Sequence, residues 1–224
     1  MNTKPIETTL INDDLLYSDP RAYLLQQGLR GAILLAAFER FVMHGVKATS
    51  MTEVSNAVGI SKRTLYELYK DKETLLLEGL EFRSKRIIKV MEVAEQRSDN
   101  ALEVILFFVE EMKREFVTLS ERFITDVRRY PIVTKQFEVN QHRNNRRANL
   151  LYRRGIAEGL FLDGIKINLV THVMDSLIMA VHEYSDTGGF TTFAQIENIL
   201  YIILRGISTS KGQSIIEAHI AARK

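Results

Sequence analysis

Residues 49–73 read TSMTEVSNAVGISKRTLYELYKDKE, and their spacing decides the fold. Ser50 and Glu53 stand in the S-x-x-E order of a capping box, which predicts a helix from about Met51. Met51, Val54 and Val58 recur at helical spacing and give that helix one apolar stripe. Gly59 tolerates the positive φ needed where a helix must stop and turn sharply. Ile60 plugs the turn into a core. Ser61 is the N-cap of a second helix whose apolar residues are Leu65, Leu68 and Tyr69. Asp71 caps a third, with Glu73 placed near its positive end. The stretch therefore predicts a helix-turn-helix.

The second of these helices presents Lys62, Arg63 and Thr64 in its first turn, with Tyr66 just beyond. Cations, a hydroxyl and an aromatic at a helix N-terminus suit a DNA major groove and its flanking phosphates. Arg63 is the candidate for bidentate guanine readout, and Thr64 for a thymine methyl or a phosphate. Thr49, Ser50, Thr52, Tyr66 and Lys72 read as phosphate anchors that fix register. Ser61, at the cap, completes the DNA-facing set. The competing reading is an exposed polar helix with no partner, and the motif context weighs against it.

Three runs carry a resemblance. They are Ile33-Leu34-x-Ala36-Ala37-x-x-x-Phe41-x-x-x-Gly45, then Thr49-Ser50-Met51-Thr52-Glu53-Val54, then Val58-Gly59-Ile60-Ser61-Lys62-Arg63-Thr64-Leu65-Tyr66-x-x-Tyr69-x-x-Lys72-Glu73-x-Leu75. Over about residues 29–76 the chain resembles the N-terminal domain of TetR-type (tetracycline-repressor-like) transcriptional regulators. Arg40 and Ser55 stand where that family usually has apolar or small residues, and Val58 and Tyr69 replace the more frequent Ala and Phe. The resemblance implies an all-α protein: a three-helix DNA-binding domain followed by a larger helical domain that binds a small-molecule effector and dimerises. It also implies that the last two long helices pair with their copies in a second subunit as a four-helix bundle.

Composition agrees with a helical globular protein. The 224 residues are 46% apolar and 26% charged, with only three prolines. Without cysteine there is no disulfide framework or thiolate metal site, which fits a reducing cytoplasm. No signal peptide or membrane span is visible. The net charge of +2 says little about nucleic acid, but its distribution says more. Residues 28–90 carry eleven Lys/Arg against seven Asp/Glu, while residues 1–26 carry two against four. Residues 128–154 carry eight against the single Glu138. Charge runs are usually solvated faces, and only the first surplus coincides with a DNA-reading motif.

Working outward, residues 1–26 read as an N-terminal extension, acidic and poor in helical periodicity. Residues 27–76 form the DNA-binding domain, and residues 77–224 an effector-binding and dimerisation domain. About nine helices are predicted. The first spans Gln26 to His44. One from Lys72 to about Arg97 packs its start under the reader and enters the second domain, which makes it the natural lever between them. Others cover Ala101–Leu119, Glu121–Arg129, Pro131–Ala157, Ile165–Tyr184 and Thr191 to Leu204 or beyond, with a turn at Thr187-Gly188-Gly189. Residues 215–224 form a short helix or a frayed tail.

No enzyme signature is present. The five histidines lack metal-ligand spacing, and there is no nucleophile elbow or phosphate-binding glycine loop. No cofactor or metal is expected. Phe108, Met112, Phe116, Phe137, Tyr152 and Met174 are individually more often core, but with the family resemblance they are the candidates for lining an effector cavity. Arg143, Arg146, Arg147, Arg153 and Arg154 could hold an anion, although a solvated face is the better explanation. The partners expected are operator DNA, a second copy of the chain and an unidentified effector. Three readings stay open beside the ligand-released repressor: a helix-turn-helix interaction protein, an activator without ligand release, and a helical enzyme using the cavity, against which the missing catalytic constellation argues.

Overall fold

The computed structural model describes residues 12–116, 120–127, 129–183 and 192–223. All regular structure among them is helical, apart from one isolated bridge between Phe161 and Ser208. The helices are α1 (Leu15–Ser18), α2 (Pro20–Leu25), α3 (Gly28–His44), α4 (Met51–Val58), α5 (Lys62–Leu68), α6 (Lys72–Arg97), α7 (Ala101–Phe116), α8 (Glu121–Val127), α9 (Pro131–Ala157), α10 (Ile167–Glu183), α11 (Thr192–Ile207) and α12 (Ser210–Ala221). The chain divides into two units, Met1–Lys89 and Val90–Lys224, and α6 contributes residues to both. The helices beyond the nine predicted are α1 and α2, within the N-terminal extension, and α12 in the tail. The predicted turn at Thr187-Gly188-Gly189 lies outside the described residues.

In the first unit, Ile33, Leu34, Ala37 and Phe41 of α3 are buried with Val54 of α4, Leu65 of α5 and Leu75 and Leu76 of α6. Each large aliphatic or aromatic side chain removed from water in this way contributes about 1.5–3 kcal/mol. The extension joins this core. Asp19 caps α2 by accepting from the Ala22 amide at 2.9 Å, and Pro20 takes the first helical position, where no amide is needed. Leu16 and Leu24 are buried. Helix α2 lies so close to α3 that a Cβ on Gly31 would stand 1.7 Å from the Leu24 carbonyl oxygen. An Arg21–Glu39 ion pair, a 3.2 Å pair between Lys89 and Asp14, and Tyr23 stacked on Phe82 with ring centroids 6.0 Å apart complete the attachment.

In the second unit, α7 is buried along Ala101, Leu102, Val104, Leu106, Val109 and Met112. It shares a core with Leu151 and Tyr152 of α9, Leu204 and Ile207 of α11, and Ile216 of α12. The segment after α9 is stitched to the α11–α12 connection. The Leu162 amide donates to the Ile207 carbonyl at 2.8 Å, and the Thr209 amide to the Leu160 carbonyl at 2.9 Å. At the far end of α12, Arg223 donates to Glu110 of α7 at 2.7 Å, and to Glu197 and the Tyr201 hydroxyl of α11 at 2.5 and 2.6 Å. No helix among the described residues is long and apolar enough to cross a membrane.

Candidate nucleic-acid interface

Local chemistry builds the reader from both ends of each helix. The Ser50 hydroxyl accepts from the Glu53 amide at 3.2 Å, and Glu53 Oε2 accepts from the Ser50 amide at 2.7 Å, a complete capping box on α4. These bonds, the Ser50 amide first and its hydroxyl second, hold the Glu53 carboxyl below the usual glutamate range. At the other end Gly59 has φ 72° and ψ 32°. The Ile60 amide reaches the Ser55 carbonyl at 3.0 Å, and the Gly59 amide the Asn56 carbonyl at 3.2 Å, which is a Schellman turn. Ser61 then caps α5 by accepting from the Thr64 amide at 3.1 Å. Asp71 does the same for α6 through the Thr74 amide at 2.8 Å; that bond, and the Thr74 hydroxyl after it, depress the Asp71 carboxyl.

This frame presents Lys62, Arg63 and Tyr66 to solvent on one short helix. The Arg63 side chain is 89% exposed and pairs with Glu67 at 3.0 Å, a surface contact weak enough to exchange for a base edge. Tyr66 is 52% exposed, large for an aromatic with no burial to explain it. Thr64 is half-buried, and it shares a hydroxyl–hydroxyl hydrogen bond of 2.9 Å with Ser61, which leaves its hydroxyl two further hydrogen-bonding sites. Thr52, on α4, is half-buried.

Three predicted phosphate anchors hold other contacts. Thr49 is 3% exposed, and its hydroxyl donates to the Gly45 carbonyl at 3.0 Å, closing the turn between α3 and α4. Its side chain is therefore turned away from solvent. The Ser50 hydroxyl donates to Glu53 at 2.9 Å within the capping box. The Lys72 ammonium donates to the carbonyls of Thr49 at 2.9 Å and Lys47 at 3.4 Å. All three shape the approach to α4 from within the fold. Spacing along the sequence cannot show the Lys72 contacts, because its acceptors are backbone carbonyls more than twenty residues away.

A further group escaped the sequence reading. Tyr69, the C-cap of α5, is fully buried. Its hydroxyl lies 3.1 Å from Glu78 Oε1 and 3.3 Å from the Arg30 carbonyl, and the Arg30 guanidinium sits 4.7 Å from its ring centroid. Arg30 in turn pairs with Glu78 at 2.8 Å. Burial, and then the Glu78 charge, push the Tyr69 hydroxyl far above the ordinary tyrosine range. The one signal in the sequence is the tyrosine itself, at a position usually held by phenylalanine.

Of the effector candidates, Met112 is buried, and Phe108 and Met174 are partly buried. Phe108 packs against the core shared by α7, α9, α11 and α12. Tyr152 is 6% exposed and stacked on Phe161, and its hydroxyl donates to the Leu162 carbonyl at 2.5 Å while accepting from the Ile165 amide at 3.1 Å. It latches the segment after α9. The side chains of Phe116 and Phe137 lie outside the described residues. Within the arginine-rich stretch, Arg147 pairs with Glu95 at 3.2 Å and Arg154 with Glu158 at 2.7 Å, so part of the surplus is neutralised internally. Arg143 lies outside the residues whose side chains are described. Among the described residues no group of three or more His, Asp or Glu could hold a metal.

Residues 33–78 match the family model described as bacterial regulatory proteins, tetR family. Over 191 residues the chain is 22% identical to the HTH-type transcriptional repressor KstR2 of Mycolicibacterium smegmatis, covering 82% of this chain and 92% of that one. Two solved structures share the fold. The ketosteroid transcriptional regulator KstR2 of Mycobacterium tuberculosis aligns with a TM-score of 0.57 at 20% identity, over 81% of this chain and 95% of that one. A putative transcriptional regulator from Saccharomonospora viridis in complex with choline aligns with a TM-score of 0.69 at 17% identity, over 82% and 99%.

Proposed function

This chain belongs, by its DNA-reading domain, to the tetR family of bacterial regulatory proteins, and on that premise we propose that it is a repressor that binds a two-fold operator as a homodimer and leaves it when a small molecule binds. The observation that carries the DNA contact is the first turn of α5. Lys62 and Arg63 are exposed there with Tyr66 nearby, on a helix capped at its start by Ser61 and buried at Leu65. Arg63 reads a base pair in the major groove, and Lys62 and Tyr66 hold the phosphates beside it.

A single copy of α5 reads only a few base pairs, and a two-fold dimer reads two half-sites. Leu169 and Val173 on α10 and Ile202 on α11 are 59%, 43% and 66% exposed. Apolar residues this open on the two last long helices support pairing with a second copy. The effector acts by population shift: it binds better to the state whose two readers are wrongly spaced, and releases DNA only to the extent of that difference. A ketosteroid transcriptional regulator and a regulator in complex with choline share this fold, which supports a small organic effector.

A gel shift on the DNA upstream of the chain's own gene, run at two salt concentrations, tests the reading. A retarded band with two-fold symmetric protection, lost in Lys62→Ala/Arg63→Ala, is expected. Binding that is indifferent to sequence and to that double substitution would sink it.

A further inference from the structure

Helix α5 is only seven residues long, with Leu65 its one buried residue. Ser61 holds its start, Leu65 anchors its middle and Tyr69 closes its end. Leu65 and the Tyr69 ring are apolar contacts, which are non-directional and tolerate small rotations. The Tyr69 hydroxyl is different. A hydrogen bond weakens steeply away from its preferred angle, and one to an ionised carboxylate is stronger than a neutral one. Here the acceptor is itself held in place, because Glu78 takes two bonds from Arg30, from Nη2 at 2.8 Å and Nε at 3.3 Å. The three residues come from α3, the end of α5 and α6. One polar knot thus ties the end of the DNA-reading helix to α3 and α6.

Taking the chain to be an operator-binding regulator, we propose that Tyr69 is a positioning residue for base readout, its buried hydroxyl fixing the angle of α5 through Glu78 and Arg30. Phenylalanine would fill the same volume and leave α5 free to rock. The backbone and phosphate contacts survive a few degrees of rocking, because electrostatic attraction to phosphate is broad in angle. Bidentate contacts to a base edge do not survive it. Tyr69→Phe is therefore expected to lower discrimination while leaving general DNA affinity intact.

The test is a competition between a duplex selected from a random pool by the full-length wild type and a mixed-sequence duplex of equal length. It is run on wild type, Tyr69→Phe, Glu78→Ala and the double substitution, with a thermal melt of each. Tyr69→Phe should reduce the ratio of specific to mixed-sequence affinity by about tenfold, with mixed-sequence affinity unchanged. Glu78→Ala, which also frees Arg30, should act in the same direction, and the double substitution should lose no more than the worse single, since both break the same Tyr69–Glu78 bond. A purely structural role lowers the melting temperature and both affinities together, and that result overturns the proposal. So does an unchanged ratio in Tyr69→Phe, or losses that add. A wild type that selects no sequence from the pool overturns the DNA-binding reading as well, which separates the two failures.

Discussion

The ammonium of Lys72 donates to the carbonyl of Thr49 at 2.9 Å, so the first residue of α6 is tied to the turn that opens α4. Lys72 thus holds the start of α6 against the approach to α4. Lys72→Met should lower stability by about 1 kcal/mol, the scale of a part-exposed charged hydrogen bond. It should also weaken binding to all duplexes by a similar factor. Chemical denaturation and titrations against a panel of duplexes measure both effects.

Arg63→Ala should behave differently. Its partner in the free protein, Glu67, is exposed, so the fold loses almost nothing. Affinity should drop by about 1–3 kcal/mol for the preferred duplex, with tolerance appearing at one base pair per half-site. Identical profiles for Arg63→Ala and Lys72→Met across operator variants would dissolve the distinction between reading and support.

Gly31→Ala tests whether the N-terminal extension is part of the folded reader. The added methyl would enter the Leu24 carbonyl, and forcing α2 away from α3 should cost about 1–3 kcal/mol. Limited proteolysis should then cut first between Asp19 and Gln27. A variant as stable and as resistant as the wild type would mean that the extension rearranges without loss.

Acid should weaken the helix caps. Glu53 and Asp71 both have carboxyls depressed by hydrogen bonds, from Ser50 and Thr74 in that order of residue. A depressed carboxyl stabilises the fold above its unfolded value and loses that contribution as pH falls through the folded one. Melting temperature should therefore hold at neutral pH and decline as pH drops below 4.5, the ordinary glutamate value. In Glu53→Gln and Asp71→Asn the decline over that window should be shallower, as followed by circular dichroism.

Tyr152→Phe separates a latch from a ligand wall. The hydroxyl serves the Leu162 carbonyl and the Ile165 amide. Removing it leaves both without that partner and should cost about 1–3 kcal/mol. An unchanged melting temperature, with a change only in response to an added effector, would return Tyr152 to the ligand-facing set.

Much of the reader was legible because its signals are local. Ser50-x-x-Glu53, Gly59, Ser61 and Asp71 each act on an amide or carbonyl within about one helical turn, and spacing reports that directly. The family resemblance then supplied the role of α5. What stayed hidden depends on distance. The burial of Thr49, the carbonyls under Lys72, the acceptors of Tyr69 and the partner of Arg147 come from elements that meet only on folding. Helix α2 is the instructive exception, since Asp19-Pro20 is an ordinary helix start. It was outweighed by the acidic, weakly periodic stretch around it.

The stitching between the segment after α9 and the α11–α12 connection bears on how the second unit opens. The amides of Leu162 and Thr209 lie outside any helix, yet each is held by a carbonyl far away in sequence. One of these bonds is accepted by the last residue of α11 and the other is donated by the N-cap of α12, so their release parts the two chain crossings. In deuterated buffer these two loop amides should exchange as slowly as the core of α7, while exposed helix termini nearby exchange early. They offer two probes of sub-global unfolding, able to report whether an added small molecule slows the breathing of the whole unit before anything is known of where it sits.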